Sequence, residues 1–491
     1  MGQRNHSDEV DLIELARQAM RERGLEPDYS PEAIRQVLRL EGPATADGDG
    51  TRDLTSLPWA SIDNDDSRDL DQLTLAEDLG DGNARVLVAV ADVDAAVRAG
   101  SAVDSHAAVN TTSVYTPAIV FHMLPERLST DLTSLVQGEE RLAVVAAYEV
   151  AASGLVGQSE VYRARVVNHA KLAYRGVSAW LDGESETPDA LAAAPGVAEQ
   201  LRLQDAIAAR LRKRRHEHGA LDLETIEPRA EMRAGRTVAL AAEAKTRAHG
   251  IIEDFMIAAN GVTARFLSER GFPTFRRVVR SPERWDRLEE LAAEYGVSLP
   301  PDPDPLALNR FLVRRREADP LRFPDLSLTV VKLMGAGEYA VQAPDAEAVG
   351  HFGLAVRDYA HSTAPNRRYP DVITQRLLKA AIAGLRCPLA LADLEYLAGH
   401  CTQQEDAAKK VERRMRKSAA AQVLEDRIGE HFDALVTGSA DKGTWVRLLD
   451  LPVEGRLVTG ERRVDVGDRI RVKLLSTDVR RGYIDFGYVA G

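Results

Sequence analysis

Residues 61–73, Ser-Ile-Asp-Asn-Asp-Asp-Ser-Arg-Asp-Leu-Asp-Gln-Leu, hold the five aspartates Asp63, Asp65, Asp66, Asp69 and Asp71. Like charges packed so closely repel one another unless a cation neutralises them, and carboxylate oxygens select a hard divalent ion such as Mg²⁺ or Mn²⁺. Such ions serve phosphodiester chemistry by offsetting charge on the scissile phosphate and by acidifying an attacking water. The competing reading is a solvated acidic loop, because runs of like charge usually face water. A strand ending in Ser-Ile-Asp and running into an acidic loop is compatible with both.

Working outward, DQLTLAED and ARVLVAVADV are strand-like runs joined by a turn at Gly80, Asp81, Gly82 and Asn83, which predicts a hairpin. RLAVVAAYEV and SEVYRARVVN continue the strand pattern, and helical periodicity follows at 188–215, 250–270 and 282–295. Strands early and helices later predict an α+β fold. After residue 350 the chain reads as a strand or loop, a proline-bearing turn and a helix, and a helix pair is expected over 389–432. Residues 432–491 alternate short β-prone runs with Gly and Asp turns, the spacing of a five-stranded OB-type barrel whose fourth strand is VGDRIRVKLLSTD.

Residues 1–50 predict two or three short helices from Asp8 to about Arg39, with a stop at Gly24 and a Ser-Pro start at Ser30. A helix-turn-helix-like module, a docking arm and a dimer contact all fit that pattern. EGPATADGDGTRDLTSLP reads as a linker. Its Asp47, Asp49 and Gly50 have only a superficial likeness to a calcium loop, since the closing glutamate is missing.

With 491 residues there is room for about three domains. A composition of 44% hydrophobic and 28% charged residues excludes disordered and fibrous classes. No apolar run approaches the length of a membrane span and the first residues lack a secretory pattern, so a cytoplasmic location with no membrane partner is expected. Two cysteines, Cys387 and Cys401, have neither zinc spacing nor disulfide density and read as packed or free thiols. The net charge of −13 argues against a generally basic face. Local clusters nevertheless stand at 210–218 (RLRKRRHEH), 275–280, 314–316, 367–368 and 409–417, each a solvated helix face unless motifs say otherwise.

The acidic stretch resembles the catalytic motif of the RNB domain of the ribonuclease II and ribonuclease R family, in which Ile-Asp is followed after five residues by Asp-x-Asp-Asp. Asp63, Asp69 and Asp71 match, and Gln72 stands at the fourth aspartate position. A carboxamide offers one neutral oxygen and no charge, and Asp65 or Asp66 could compensate. Further likenesses run in order: Ala91-Asp92-Val93, Ser113-Val114-Tyr115, Met123-Leu124-Pro125, AHGIIEDFMIAANG and HFGLAVRDYAHSTAPNRRYPD. The resemblance covers about residues 57–432 and, less specifically, the barrel. It implies an RNB catalytic domain over 51–431, a mixed sheet surrounded by helices, preceded by the helical module and followed by the barrel.

The resemblance implies a metal-dependent 3′-to-5′ exoribonuclease that releases nucleoside 5′-monophosphates. Mg²⁺, or Mn²⁺ in its place, would be held by Asp63, Asp69, Asp71 and Gln72, and Asp71, Asp69 and Arg367 would be catalytic. Tyr115 would stack on a terminal base, Arg367 would grip a phosphate, and Glu412 would hold the terminal ribose. Taken singly, these read as a core tyrosine, a surface arginine and a solvated glutamate. Leu223 falls where the family places a second aromatic clamp. Glu253 and Asn260 are expected to orient the site or the fold. Bacterial members usually carry cold-shock barrels before this domain, which about 50 helical residues cannot contain, so an open entrance is expected. Expected partners are single-stranded RNA and duplex RNA with a short 3′ overhang, bound by a monomer. The alternatives are a non-catalytic RNA-binding protein, for which Gln72 argues, and a DNA-directed or endonucleolytic enzyme, for which only the helix-turn-helix pattern argues.

Overall fold

The computed structural model describes residues 10–46, 50–224, 227–233, 236–243, 245–344, 346, 348–440, 443–460 and 464–489; Asp8, Asp47 and Asp49 lie outside the described residues. Helix α1 (Leu12–Glu22) is capped by Asp11, whose carboxylate accepts from the N–H groups of Ile13 at 2.8 Å and Glu14 at 3.3 Å. It stops before Gly24, whose φ of 75° suits a residue without Cβ. Helix α2 (Pro31–Leu38) starts at Ser30, whose Oγ accepts from Ala33 N at 3.1 Å, and Pro31 occupies the first turn where its missing donor costs nothing. Leu12, Leu15 and Met20 of α1 join one apolar cluster, while Ala33 and Val37 of α2 join another. The two helices therefore lie along the fold as an arm docked on two cores.

The first core is built on a mixed sheet. Its strands are β1 (Arg52–Asp53), β2 (Ala60–Asp63), β3 (Gln72–Gly80) and β4 (Asn83–Ala91); then, after helix α3 (Ala102–Asn110) and a separate ribbon of β5 (Val114–Tyr115) and β6 (Val120–Phe121), come β7 (Glu140–Val150), β8 (Val156–Val167) and β9 (Ala170–Ala173). The order is β1-β8-β7-β4-β3-β2-β9, with β1/β8 and β2/β9 parallel. The predicted hairpin runs from Gln72 opposite Val90 to Gly80 opposite Asn83. Asp81 and Gly82 take φ of 53° and 75°, the positive values that an Asp-Gly pair tolerates and that match the strand twist. β7 is buried along nearly its whole length, as its continuous apolar run requires of a central strand.

Helices cover this sheet. After α4 (Tyr174–Leu181), the helix expected over 188–215 is divided near Pro195 and Gly196 into α5 (Asp189–Ala192) and α6 (Val197–Glu217). With α7 (Arg247–Glu269), α6 packs on β3, β4, β7 and β8. Beyond the ribbons β10 (Glu227–Arg233) with β11 (Arg236–Glu243), and β12 (Thr274–Val278) with β13 (Glu338–Gln342), α8 (Trp285–Glu294), α9 (Pro305–Ala318) and α10 (Phe323–Met334) gather their own cluster around Trp285, Phe311 and Phe323.

Helix α11 (Tyr369–Ile382) leads to α12 (Leu391–Leu424), one continuous helix where a pair was expected. Residues 391–424 contain no proline and only one glycine, so nothing breaks the backbone. What changes is the partner: Leu394, Ala398 and Cys401 lie in the sheet core, while Ala407, Val411, Met415 and Leu424 lie in the cluster shared with α1 and the barrel. The barrel is closed by β14 (His431–Ala440), β15 (Gly443–Leu448), β16 (Glu454–Thr459), β17 (Arg469–Asp478) and β18 (Tyr483–Tyr488), and β17 is the predicted fourth strand.

Candidate functional site

The acidic stretch crosses the end of the sheet between β2 and β3. Ser134 pins it, with its Oγ accepting from Leu70 N at 3.0 Å and donating to Arg68 O at 2.7 Å, while Leu135 N donates to Leu70 O at 2.9 Å. These contacts turn Asp71 inward, where it is 2% exposed. Its Oδ1 accepts from Asn366 N at 2.8 Å and its Oδ2 from Arg367 Nε at 3.2 Å. Burial disfavours the carboxylate and pushes the Asp71 pKa from 3.8 up to about 7, against the pull of Arg367 and the Asn366 N–H.

Arg367 and Tyr115 reach the same place by an independent route. The Arg367 carbonyl accepts from Ser113 N at 2.9 Å and Thr112 Oγ1 at 3.3 Å, which sets the start of β5 against the Thr-Ala-Pro-Asn-Arg turn. Ser113 Oγ in turn accepts from Met123 N at 2.9 Å, joining two of the sequence likenesses. Tyr115 donates its hydroxyl to Asp69 Oδ2 at 3.2 Å and its backbone N–H to Glu412 Oε1, from the middle of α12, at 2.9 Å. Tyr115 remains 41% exposed. Partial burial works against the Arg367 charge, but Tyr115, Asp71, Asp63 and Asp69 together outweigh it and raise its pKa. Only Nε of this guanidinium is engaged; its two terminal nitrogens have no partner among the described residues.

Asp63 closes β2. Its Oδ1 accepts from Asn64 N at 2.7 Å and Ser67 Oγ at 2.8 Å. Gln72 begins β3 with a buried Oε1 that has no hydrogen-bond partner. These donors fit a hard divalent cation in kind, being carboxylates with one orphaned carboxamide oxygen. Around Arg367 the acids Asp63, Asp69 and Asp71 outnumber the single guanidinium. Among the described residues no group of three or more His, Cys, Asp or Glu is closed around a common point. The fit is thus one of donor chemistry and charge, with Asp71 engaged by Arg367 and Asp69 by Tyr115.

Sequence reasoning missed Tyr174, which stacks on His249 with ring centroids 3.7 Å apart and 14° between planes. Burial raises its hydroxyl pKa and the Asp63 charge raises it further, so this aromatic pair borders the acidic site. Its position at the start of α4, directly after β9 and its parallel pairing with β2, brings it there. Leu223 packs on the Trp285 cluster. Asn260 is a buried brace whose Oδ1 accepts from Ser362 N and Oγ, each at 2.8 Å, and Glu253 pairs with Lys245. Asp65 and Asp66 are exposed on the loop. Asp92, of the Ala-Asp-Val likeness, is buried against Lys379 at 2.8 Å and Arg163 at 3.3 Å, a structural ion-pair hub.

Most basic clusters are used internally: Arg276 pairs with Asp358, Arg277 with Glu405, Arg316 with Asp222 and Arg414 with Glu22. Both cysteines are free thiols, and burial pushes the Cys401 pKa up. No helix among the described residues is long and apolar enough to cross a membrane.

Comparison with known proteins bears on the family and the fold. Residues 51–384 match the RNB domain, and residues 430–489 match the RNase II-type exonuclease C-terminal S1 domain. The chain belongs to the RNB family. Ribonuclease R of Vibrio parahaemolyticus is 31% identical over 94% of this chain, and the chain spans 59% of that relative's length. Mycoplasma genitalium RNase R, solved with ribose methylated single-stranded RNA, has a TM-score of 0.86 at 20% identity, covering 98% of this chain and 78% of that one. The same enzyme solved with double-stranded RNA has a TM-score of 0.85 at 21% identity, covering 98% and 83%. At such identities the likeness is one of fold.

Proposed function

We propose that this chain is a 3′-to-5′ exoribonuclease that hydrolyses RNA to nucleoside 5′-monophosphates and serves RNA turnover. The observation that carries the reading is Arg367: tethered through Nε to the buried Asp71, it keeps both terminal nitrogens without a partner among the described residues, beside the part-exposed Tyr115. A planar guanidinium fork held in that way suits a phosphate, and an aromatic face suits any base, so the pair binds a strand end without reading its sequence. Ribonuclease R relatives and the RNB match support RNA as the substrate.

In this proposal Tyr115 stacks on the terminal base, with its hydroxyl fixed by Asp69 and its backbone by Glu412. Glu412, already at that spot, meets the ribose hydroxyls that distinguish RNA from DNA. Arg367 draws the scissile phosphate over Asp71 and stabilises the charge that develops on its oxygens. Asp63, Asp69 and Asp71 with the Gln72 oxygen would hold Mg²⁺ or Mn²⁺, which would supply the remaining charge neutralisation and acidify a water. A monomer acting on single-stranded RNA is the expected case, and the fold shared with an RNase R solved on double-stranded RNA supports trials with a duplex bearing a short 3′ overhang.

Digestion of a 5′-labelled single-stranded RNA with Mg²⁺, beside Asp71→Asn and an EDTA control, tests the reading. Metal-dependent shortening from the 3′ end, absent in the variant, is expected. The second reading, a protein that binds RNA without cleaving it, is favoured by Gln72 and by the unclosed acid cluster. Binding without shortening under any divalent ion would establish it in place of the first.

A further inference from the structure

The basic cluster at 210–218 is not absorbed by the site above. Arg212 and Arg215 are spent on the buried Asp254, and Arg210 reaches Gly82 O. Arg214 and His218 instead face a cavity of about 280 Å³ between the α6 C-terminus, the middle of α7, the β7–β8 turn and the loop 355–358. Its apolar wall includes Leu155, Leu211, Ile257 and Val356. Arg265 and Arg357 complete the rim.

Charge accounting distinguishes this cavity from an ordinary ion-paired surface. Of the two lining acids, Asp254 is held by Arg212 and Arg215, and Asp358 accepts from Arg276 at 2.8 Å. The side chains of Arg214, Arg265 and Arg357 make no ion pair or hydrogen bond among the described residues. Arg265 lies over the helix at Gly261, where an added Cβ would stand 3.3 Å from its Nη1 and 3.4 Å from Asp358 O, so the glycine leaves room for the guanidinium. Three arginines without ion pairs around a largely apolar hollow call for a ligand with several anionic oxygens and an apolar or planar body.

We infer that this cavity is a second ligand site, for a small phosphorylated molecule of the nucleoside monophosphate class. The volume accommodates one nucleotide and not a strand, and the apolar wall gives a base a surface that inorganic phosphate would not use. The inference does not rest on the chain being a nuclease, because no lining residue belongs to the acidic site.

The test is calorimetric titration of the full chain, in EDTA, with adenosine 5′-monophosphate, adenosine and inorganic phosphate. The monophosphate is expected to bind at least tenfold more tightly than either fragment. The double variant Arg265→Gln with Arg357→Gln should weaken it at least tenfold, and Tyr115→Ala should leave this binding unchanged. Neither arginine side chain makes a hydrogen bond or ion pair among the described residues, so the double variant should melt as wild type does; if it does not, Arg357→Gln alone, at an exposed position, takes its place. Absence of monophosphate binding at millimolar concentration would overturn the inference. So would binding abolished by Tyr115→Ala and untouched by the arginine changes, or binding only of RNA strands.

Discussion

Replacing Asp71 by asparagine should stabilise the metal-free protein while removing its activity. Burial raises the Asp71 pKa from 3.8 to about 7. Some three pK units at 1.36 kcal/mol each make the ionised form cost the fold about 4 kcal/mol. Because the folded chain holds this proton more tightly than the unfolded chain, the stability in question is present below about pH 4 and is lost as pH rises through about 7. Asparagine keeps an oxygen for Asn366 N and turns an amide toward Arg367 Nε, much as the protonated carboxyl turns its hydroxyl, and the raised pKa already carries the opposing pull of Arg367 and the Asn366 N–H. The gain should therefore be about 4 kcal/mol at pH 8, vanishing toward pH 4. Guanidinium denaturation in EDTA at both pH values measures it, and turnover on labelled RNA with Mg²⁺ should fall on the order of 100-fold with strand affinity retained. A variant less stable than wild type at pH 8, or a difference independent of pH, would refute the burial argument.

Tyr115→Ala should weaken binding of short RNA by about 1–3 kcal/mol, roughly 5- to 150-fold, and lengthen the residual oligomer. Tyr115→Phe should retain most of that affinity, and equal losses in the two variants would remove stacking from the account. Gln72→Asp adds a charged donor where an orphaned oxygen now sits, so half-saturation by Mg²⁺ should fall in a metal titration; an unchanged requirement would take Gln72 out of the ligand set. Chelation should abolish shortening, with Mg²⁺ or Mn²⁺ restoring it. DNA of the same sequence should be shortened far more slowly than RNA, and equal rates would count against recognition of the ribose by Glu412.

The sequence by itself determined the elements whose periods and breakers are local. Asp-Gly at 81–82 made the hairpin, Ser-Pro at 30–31 began a helix, and the spacing of short β runs specified the closed barrel. Through the resemblance to the RNB family it also pointed to Asp63, Asp69, Asp71, Tyr115, Arg367 and Glu412, because the motifs that carry that resemblance stand in order along one chain. It could not divide the acids among tasks. Asp71 is buried, Asp69 holds a tyrosine and Asp63 caps a turn because of contacts from residues 134, 115 and 67. Nor could periodicity separate one helix from two over 391–424, since polarity along it switches with the core it faces. Tyr174 beside Asp63, and the arginines around a cavity built from four segments, come from long-range pairing alone. Burial and charge compensation are properties of neighbours in space, and only the tertiary structure decides who the neighbours are.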